Sequence, residues 1–172
     1  MNKKKLNYRV TYLEMNRKPS FDWPKNLKHK LSILLAESFP AWYFLFFYKQ
    51  VGKNYYWTDW LRKSEDEIDE FVNDKNVLLY TLIKDGWPVG FYMLDYRKKD
   101  ICDLSFFGLV EEVIGIGLGK YLLQTAILTA WDSRKIEKLT VNTCSLDHKS
   151  AIYLYQKYGF APVKYKDLEK TV

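Results

Sequence analysis

The stretch ICDLSFFGLVEEVIGIGLGKYLL spans residues 101–123 and contains three glycines at alternate positions, Gly115, Gly117 and Gly119. The apolar run before the glycines predicts a buried strand. After them, apolar residues recur at four-residue steps from Leu118, which predicts an amphipathic helix that begins at about Gly117. The glycines therefore lie between a strand and the first turn of a helix.

Such a turn can bind an anion. The first turn of a helix has backbone N–H groups without an intrahelical partner, and the helix dipole adds positive potential there. Glycines let a ligand approach the backbone closely, and phosphate is the usual ligand. The GxGxG spacing differs from the GxGxxG of dinucleotide folds, and Lys120 is followed by Tyr121 instead of the Ser or Thr of a nucleotide P-loop. A simple strand-to-helix connection remains the alternative.

A second motif follows in residues 142–160, NTCSLDHKSAIYLYQKYGF. Together with the glycine turn, it resembles the GNAT superfamily of N-acetyltransferases, and it is similar to a bacterial subgroup whose N-terminal half is rich in aromatic residues. The turn matches the loop that binds the acetyl-coenzyme A pyrophosphate in that family, and the second motif matches its AxxLYxKxGF pattern. Two positions depart from the family: Ile114 replaces a Gln or Arg, and His148 replaces an Asn that is common there.

The resemblance implies an α/β (α+β) fold. The sequence shows no internal repeat, low-complexity segment or flexible linker, which predicts a single domain over residues 1–172. Its sheet would be mixed and mostly antiparallel, with six to seven strands flanked by about four to five helices. The local patterns add helices over residues 26–39 and 41–52, and a capping box formed by Ser64 and Glu67. We also expect Asp147 to cap the helix that carries the second motif.

The composition narrows the class of protein. The net charge is +6, but no long basic stripe indicates a nucleic-acid surface. Two cysteines, Cys102 and Cys144, are too few for a disulfide framework and favour free thiols in a reducing, cytoplasmic setting. The histidines and cysteines lack the spacing of metal ligands, so no metal is expected. The longest apolar run, residues 41–48, is too short to cross a membrane.

Half of residues 41–60 are aromatic. These rings could form core, or they could line a pocket for an apolar or cationic amine. In the GNAT family this region usually covers the acceptor site, which implies an acceptor-binding role for Trp42, Tyr43, Tyr56 and Trp57. The exposed aromatic residues also leave a homodimer interface open.

The resemblance assigns the cofactor contacts as well. The backbone at Phe107, Gly108 and Leu109 would pair with the pantetheine arm, and the glycine turn would bind the pyrophosphate. Asn142 and His148 are further candidates, although each could instead be structural. The turn residues with this role are Gly115, Ile116, Gly117, Leu118, Gly119 and Lys120.

Acetyl transfer to an amine needs a proton acceptor for the ammonium and a proton donor for the departing thiolate. Tyr155 stands at the AxxLY tyrosine, which acts as general acid in the family, and the alternative is a buried packing role. Asp103, near the start of the central strand, is the candidate base. The sequence thus predicts an acetyl-coenzyme A-dependent N-acetyltransferase with a small-molecule amine acceptor. A non-catalytic acyl-coenzyme A-binding domain and a protein-directed acetyltransferase are the alternatives.

Overall fold

The computed structural model describes residues 5–25 and 29–171. In this part of the chain, seven strands form one sheet. The strands are β1 (Lys5–Met15), β2 (Leu31–Ala36), β3 (Val77–Lys84), β4 (Trp87–Asp95), β5 (Ile101–Leu109), β6 (Lys138–Cys144) and β7 (Ala161–Thr171). Their order in the sheet is β2-β3-β4-β5-β6-β1-β7. Only the β5–β6 pair among these is parallel, which confirms the predicted mixed, mostly antiparallel sheet.

Helices cover both faces of the sheet. They are α1 (Ala41–Gly52), α2 (Glu65–Val72), α3 (Leu118–Ser133) and α4 (Ala151–Lys157), with short 3₁₀ turns at Trp60–Arg62 and Glu111–Val113. One core cluster includes buried residues of α3 and α4, and a second, aromatic cluster includes residues of α1 and α2. The predicted bounds of α1 are confirmed. The predicted capping box is also confirmed, since the Ser64 side chain accepts from the Glu67 amide and the Glu67 carboxylate accepts from the Ser64 amide.

The helix predicted over residues 26–39 is wrong. Residues 26–28 lie outside the described part of the chain, and Leu31–Ala36 forms β2, which pairs with β3 at the edge of the sheet. The leucine spacing that suggested a helix does not mark a buried face, because Leu34 and Leu35 are both exposed. Pairing with β3 therefore overrides the local pattern.

Two irregularities of the central strands create space. The ladder between β5 and β6 ends at Asp103 and Thr140, so the two strands diverge beyond these residues. The register between β4 and β5 shifts between Met93 and Leu94, which leaves Ser105 as the extra residue of a β-bulge. A bulge bends its strand and redirects nearby side chains. The gap between the diverging strands is where a ligand can enter the sheet.

β1 lies between β6 and β7, so the first strand of the described chain separates two strands from its end. Val10–Met15 of β1 pair with β6, and β7 pairs along most of β1. No other described strand neighbours β7. β1 therefore anchors β7 to the rest of the sheet.

Candidate functional site

The glycine turn enters α3 as the sequence predicts. Gly117 is the N-cap residue of α3, and no side chain of the described residues caps this end of the helix. Gly115 and Gly117 have φ values of 89° and 88°, in the left-handed region that favours glycine. A Cβ atom built on either residue would meet no described atom within 4 Å. The glycine turn at the start of α3 therefore borders free space of the kind that an anion can occupy.

This space belongs to a first cavity of about 360 Å³. It lies where β5 and β6 diverge, between the glycine turn and α4. Most of the predicted cofactor-binding residues line it, namely Phe107, Gly108, Leu109, Gly115, Gly117, Gly119, Asn142 and His148. Three others do not: Ile116 and Lys120 are exposed on the turn, and Leu118 is buried in the core. Their side chains are therefore absent from the cavity wall, although their backbone amides belong to the turn.

Tyr155 lies on the wall of the first cavity, on α4. Its ring packs against Phe107 and Phe160, with ring centroids 6.1 and 5.8 Å away, and the residue is only 5% exposed. Burial raises the pKa of the phenol well above its ordinary value, and the carboxylates of Asp147 and Asp103 raise it further. Tyr155 therefore keeps its proton at neutral pH and can donate it only to a strong base formed in the cavity.

Asp103 is set back from the first cavity. Its carboxylate accepts hydrogen bonds from the hydroxyls of Thr140 (2.5 Å) and Ser105 (2.8 Å). Ser105 lines the cavity, whereas Asp103 is not among the residues of its wall. The bulge that displaces Ser105 thus connects the candidate base to the cavity through one hydroxyl group. Sequence reasoning did not find Ser105, because a bulge is a property of the pairing between two strands.

The predicted capping role of Asp147 is wrong. The N-cap residue of α4 is Ser150. The Asp147 carboxylate instead accepts from the Thr143 hydroxyl (2.8 Å), the Cys144 amide (2.8 Å) and the indole N–H of Trp57 (3.0 Å). These donors lie in β6 and in the segment after α1, and no side chain of the described residues caps α4. Asp147 therefore connects the aromatic segment, residues 41–60, to the second motif, residues 142–160, through the hydrogen bond from Trp57.

A second cavity, of about 260 Å³, adjoins the first. Its wall is rich in aromatic side chains, which are Tyr8, Tyr48, Tyr55, Tyr56, Trp57, Trp60 and Phe106. Among the residues predicted to bind the acceptor, Tyr56 and Trp57 line this cavity. Trp42 is 66% exposed, and Tyr43 pairs its hydroxyl with Thr81 (2.8 Å), so neither lies on the wall of either cavity. The aromatic segment thus supplies both core and cavity wall.

The described residues contain neither a candidate metal-binding cluster nor a candidate membrane-spanning helix. No group of three or more His, Cys, Asp or Glu residues among them is placed to hold a metal ion. None of the described helices combines the length and apolar character needed to cross a membrane.

The sequence profile of the Acetyltransferase (GNAT) family matches residues 36–160, more than half of the 172-residue chain. The chain belongs to the GNAT acetyltransferase family. In this GNAT chain, the matched range contains the glycine turn, the Ser105 bulge and α4. The strands β1 and β7 lie outside it. Three residues of the second cavity, Tyr8, Val10 and Lys170, therefore come from outside the matched range.

Solved structures share the fold. A GCN5-related N-acetyltransferase from Kribbella flavida has a TM-score of 0.63 and 14% identity, and the match covers 95% of this chain and 57% of that one. A conserved protein of unknown function from Staphylococcus epidermidis has a TM-score of 0.64 and 14% identity, over 96% of this chain and 62% of the other. This GNAT chain thus spans about 60% of the length of those two proteins.

A GNAT family acetyltransferase from Elizabethkingia anophelis, whose structure contains acetyl-CoA, has a TM-score of 0.57 and 22% identity, over 78% of each chain. A search of curated proteins gave no match. At these identities the likeness establishes the fold.

Proposed function

We propose that this chain transfers the acetyl group of acetyl-coenzyme A to a primary amine of a small molecule, by direct attack with both substrates bound. One observation carries the proposal: a single cavity connects the open glycine turn, Gly115 to Gly119, with the buried phenol of Tyr155. This arrangement supplies an anion cradle and a proton donor in one space.

The residues present fit the cofactor. The open amides at Gly115 and Gly117 suit a pyrophosphate, and the Lys120 side chain adds positive charge beside them. Beyond Asp103, β5 lacks β6 as a partner in the described ladder, so its backbone can pair with an extended ligand such as the pantetheine arm. Acetyl-coenzyme A, when bound, supplies an acetyl thioester that an amine nitrogen attacks and a sulfur that leaves.

The protein's own groups account for the two protons. Only the neutral amine attacks, so the ammonium must first lose a proton. In this proposal the Ser105 hydroxyl, which lines the first cavity and donates to Asp103 at 2.8 Å, passes that proton to the carboxylate. The Tyr155 phenol gives its proton to the leaving thiolate, and the second proton that the nitrogen loses as the amide forms restores the phenol.

A covalent route through Cys144 is disfavoured. Burial raises the pKa of the Cys144 thiol, and the neighbouring Asp147 carboxylate raises it further. The thiol therefore stays protonated at neutral pH, and a protonated thiol is a poor nucleophile. Both cysteines are free, which also supports the proposal of a reducing, cytoplasmic compartment.

Thermal unfolding with acetyl-coenzyme A, coenzyme A or ATP tests the cofactor. A ligand present at 100 times its dissociation constant stabilises the folded protein by about 2.7 kcal/mol. We expect both coenzyme forms to raise the Tm of the parent chain and ATP to raise it less. Gly117→Glu should abolish the shift, because the new carboxylate occupies and repels the anion site.

Gly86→Glu is the matched control. Gly86 also has a positive φ, 91°, and a Cβ built there also meets no described atom within 4 Å, but it lies in the β3–β4 hairpin. Both variants should lose similar intrinsic stability, while Gly86→Glu should keep the coenzyme shift. The absence of a shift with either coenzyme form in the parent chain would refute the proposal.

A further inference from the structure

The second cavity has a simple charge pattern. Its wall includes three charged side chains among the described residues: Asp59, Asp147 and Lys170. The Lys170 ammonium donates to the Asp59 carboxylate (2.9 Å) and to the Tyr56 carbonyl (2.8 Å), and the Lys170 side chain is only 11% exposed. Lys170 and Asp59 therefore neutralise each other. Asp147 is left as the carboxylate without a cationic partner on this wall.

Asp147 lies on the boundary between the two cavities, because it lines both. Its three hydrogen-bond donors, from Trp57, Thr143 and the Cys144 amide, are all neutral. A carboxylate has about four acceptor positions, so one remains for a donor from a ligand. Ser105 and Asn142 also line both cavities. An ammonium group bound to Asp147 would therefore lie at the boundary with the first cavity.

Apart from Asp147, the wall of the second cavity favours a ligand whose remaining part is uncharged and flat. Rings from β1, α1, β5 and the segment after α1 make up about half of its lining residues. Aromatic faces attract cations and pack well against other rings. A carboxylate on the ligand would meet Lys170 already paired with Asp59, and a second ammonium would meet Asp59 already paired with Lys170. A ligand carboxylate would lose hydration beside Lys170, which is only 11% exposed, without gaining a free partner, and a second ammonium would gain no free partner at Asp59.

We propose that the second cavity binds arylalkyl monoamines, with the ammonium on Asp147 and the aromatic ring against Trp57 and its neighbours. This inference rests on the proposed function and names its acceptor class. Asp147 acts here as the specificity-determining residue. It orients the amine toward the first cavity, and the Lys170–Asp59 pair discriminates against amino acids and diamines.

Direct binding tests the class without any cofactor. Isothermal titration calorimetry of the chain alone would compare 2-phenylethylamine, L-phenylalanine and 1,4-diaminobutane. L-Phenylalanine has the same ring and ammonium and differs only by its carboxylate. We expect 2-phenylethylamine to bind at least about tenfold more tightly than either competitor. Equal or tighter binding of L-phenylalanine or of the diamine would overturn the inference.

Two substitutions locate the interaction. Asp147→Asn removes the charge at nearly constant volume and replaces one acceptor oxygen by a donor, and it should weaken 2-phenylethylamine binding by about 10- to 100-fold, the range for a charge-assisted hydrogen bond. Asp59→Asn frees the Lys170 charge and should shift the binding preference toward L-phenylalanine. A structural fault caused by Asp59→Asn would weaken both ligands instead of changing their ratio. Asp66→Asn, an equal charge change at an exposed position outside both cavities, should change neither value.

The two proposals fail in different ways. If acetyl-coenzyme A stabilises the chain but the amine preference is absent or insensitive to Asp147→Asn, the acceptor class is wrong and the transferase proposal stands. If neither coenzyme form stabilises the chain, the transferase proposal fails and the acceptor assignment fails with it. Turnover measured by thiol release should follow the same order of amines as the calorimetry.

Discussion

Gly108 packs so closely against α1 that a side chain at this position should lower the stability of the protein. Gly108 lines the first cavity on β5, and a methyl group built on it would lie 2.3 Å from Cγ1 of Val51, on α1. The backbone of Gly108 is outside the left-handed region, so the conflict is purely one of packing. Overpacking of this kind costs about 1–3 kcal/mol. Gly108→Ala should lower the free energy of unfolding by that amount.

The opposing atom allows the cause to be tested. Val51 is 5% exposed, and Val51→Ala removes two buried carbons at about 0.8 kcal/mol each, or about 1.6 kcal/mol. Removing Cγ1 also removes the clash. The double variant should therefore be about as stable as Val51→Ala alone, and the coupling between the two changes should be about 1–3 kcal/mol.

Urea unfolding followed by tryptophan fluorescence would give the free energy of unfolding of the parent chain, the two single variants and the double variant. Gly119→Ala is the control: a Cβ there would meet the nearest side-chain atom, Leu109 Cδ1, at an ordinary 3.8 Å. This change should stabilise α3 by about 0.5–1 kcal/mol, because alanine has the higher helix propensity. Additivity of Gly108→Ala and Val51→Ala within about 0.5 kcal/mol would refute the packing argument.

Three further predictions concern single side chains. Tyr155→Phe should lower kcat by about 10²–10⁴-fold while the coenzyme shift in Tm is retained; an unchanged kcat would remove Tyr155 as the acid. Burial raises the pKa of Tyr48 to about 12, so its contribution to stability is complete below about pH 10 and is lost as the pH rises toward 12. Tyr48→Phe should therefore flatten the pH dependence of urea stability in that window, and an unchanged slope would contradict this. Ser64→Ala breaks the capping box with Glu67 and should cost about 1 kcal/mol, whereas Glu65→Ala, outside the box, should cost less.

Local signals in the sequence predicted the parts of the fold that depend on neighbouring residues. The capping box, α1 and the glycine turn are encoded within a few residues, and the structure contains all three. The prediction for the residues of β2 was wrong because their leucines repeat at the spacing of a helical face. Their conformation depends instead on pairing with β3, about 50 residues away. An edge strand with two exposed leucines has little periodic signal of its own.

In the candidate site too, the features encoded by neighbouring residues were predicted and those that depend on distant partners were not. Tyr155 and the glycine turn were found from motifs, and the structure brings both to one cavity. The hydrogen bond from Trp57 to Asp147 joins residues 90 positions apart, and no local pattern contains it. The predicted cap at Asp147 was the only role that its own neighbourhood suggested. Long-range partners of polar side chains therefore set the limit of what one sequence could predict here.

The position of β1 also constrains the order of events during synthesis. Within the described chain, the strand partners of β1 are β6 and β7, which begin at Lys138 and Ala161. A nascent chain would thus carry β1 as an unpaired edge until most of the described residues had been made. Since Tyr8 and Lys170 come from β1 and β7, the second cavity could form only after β7 had been made and had paired with β1.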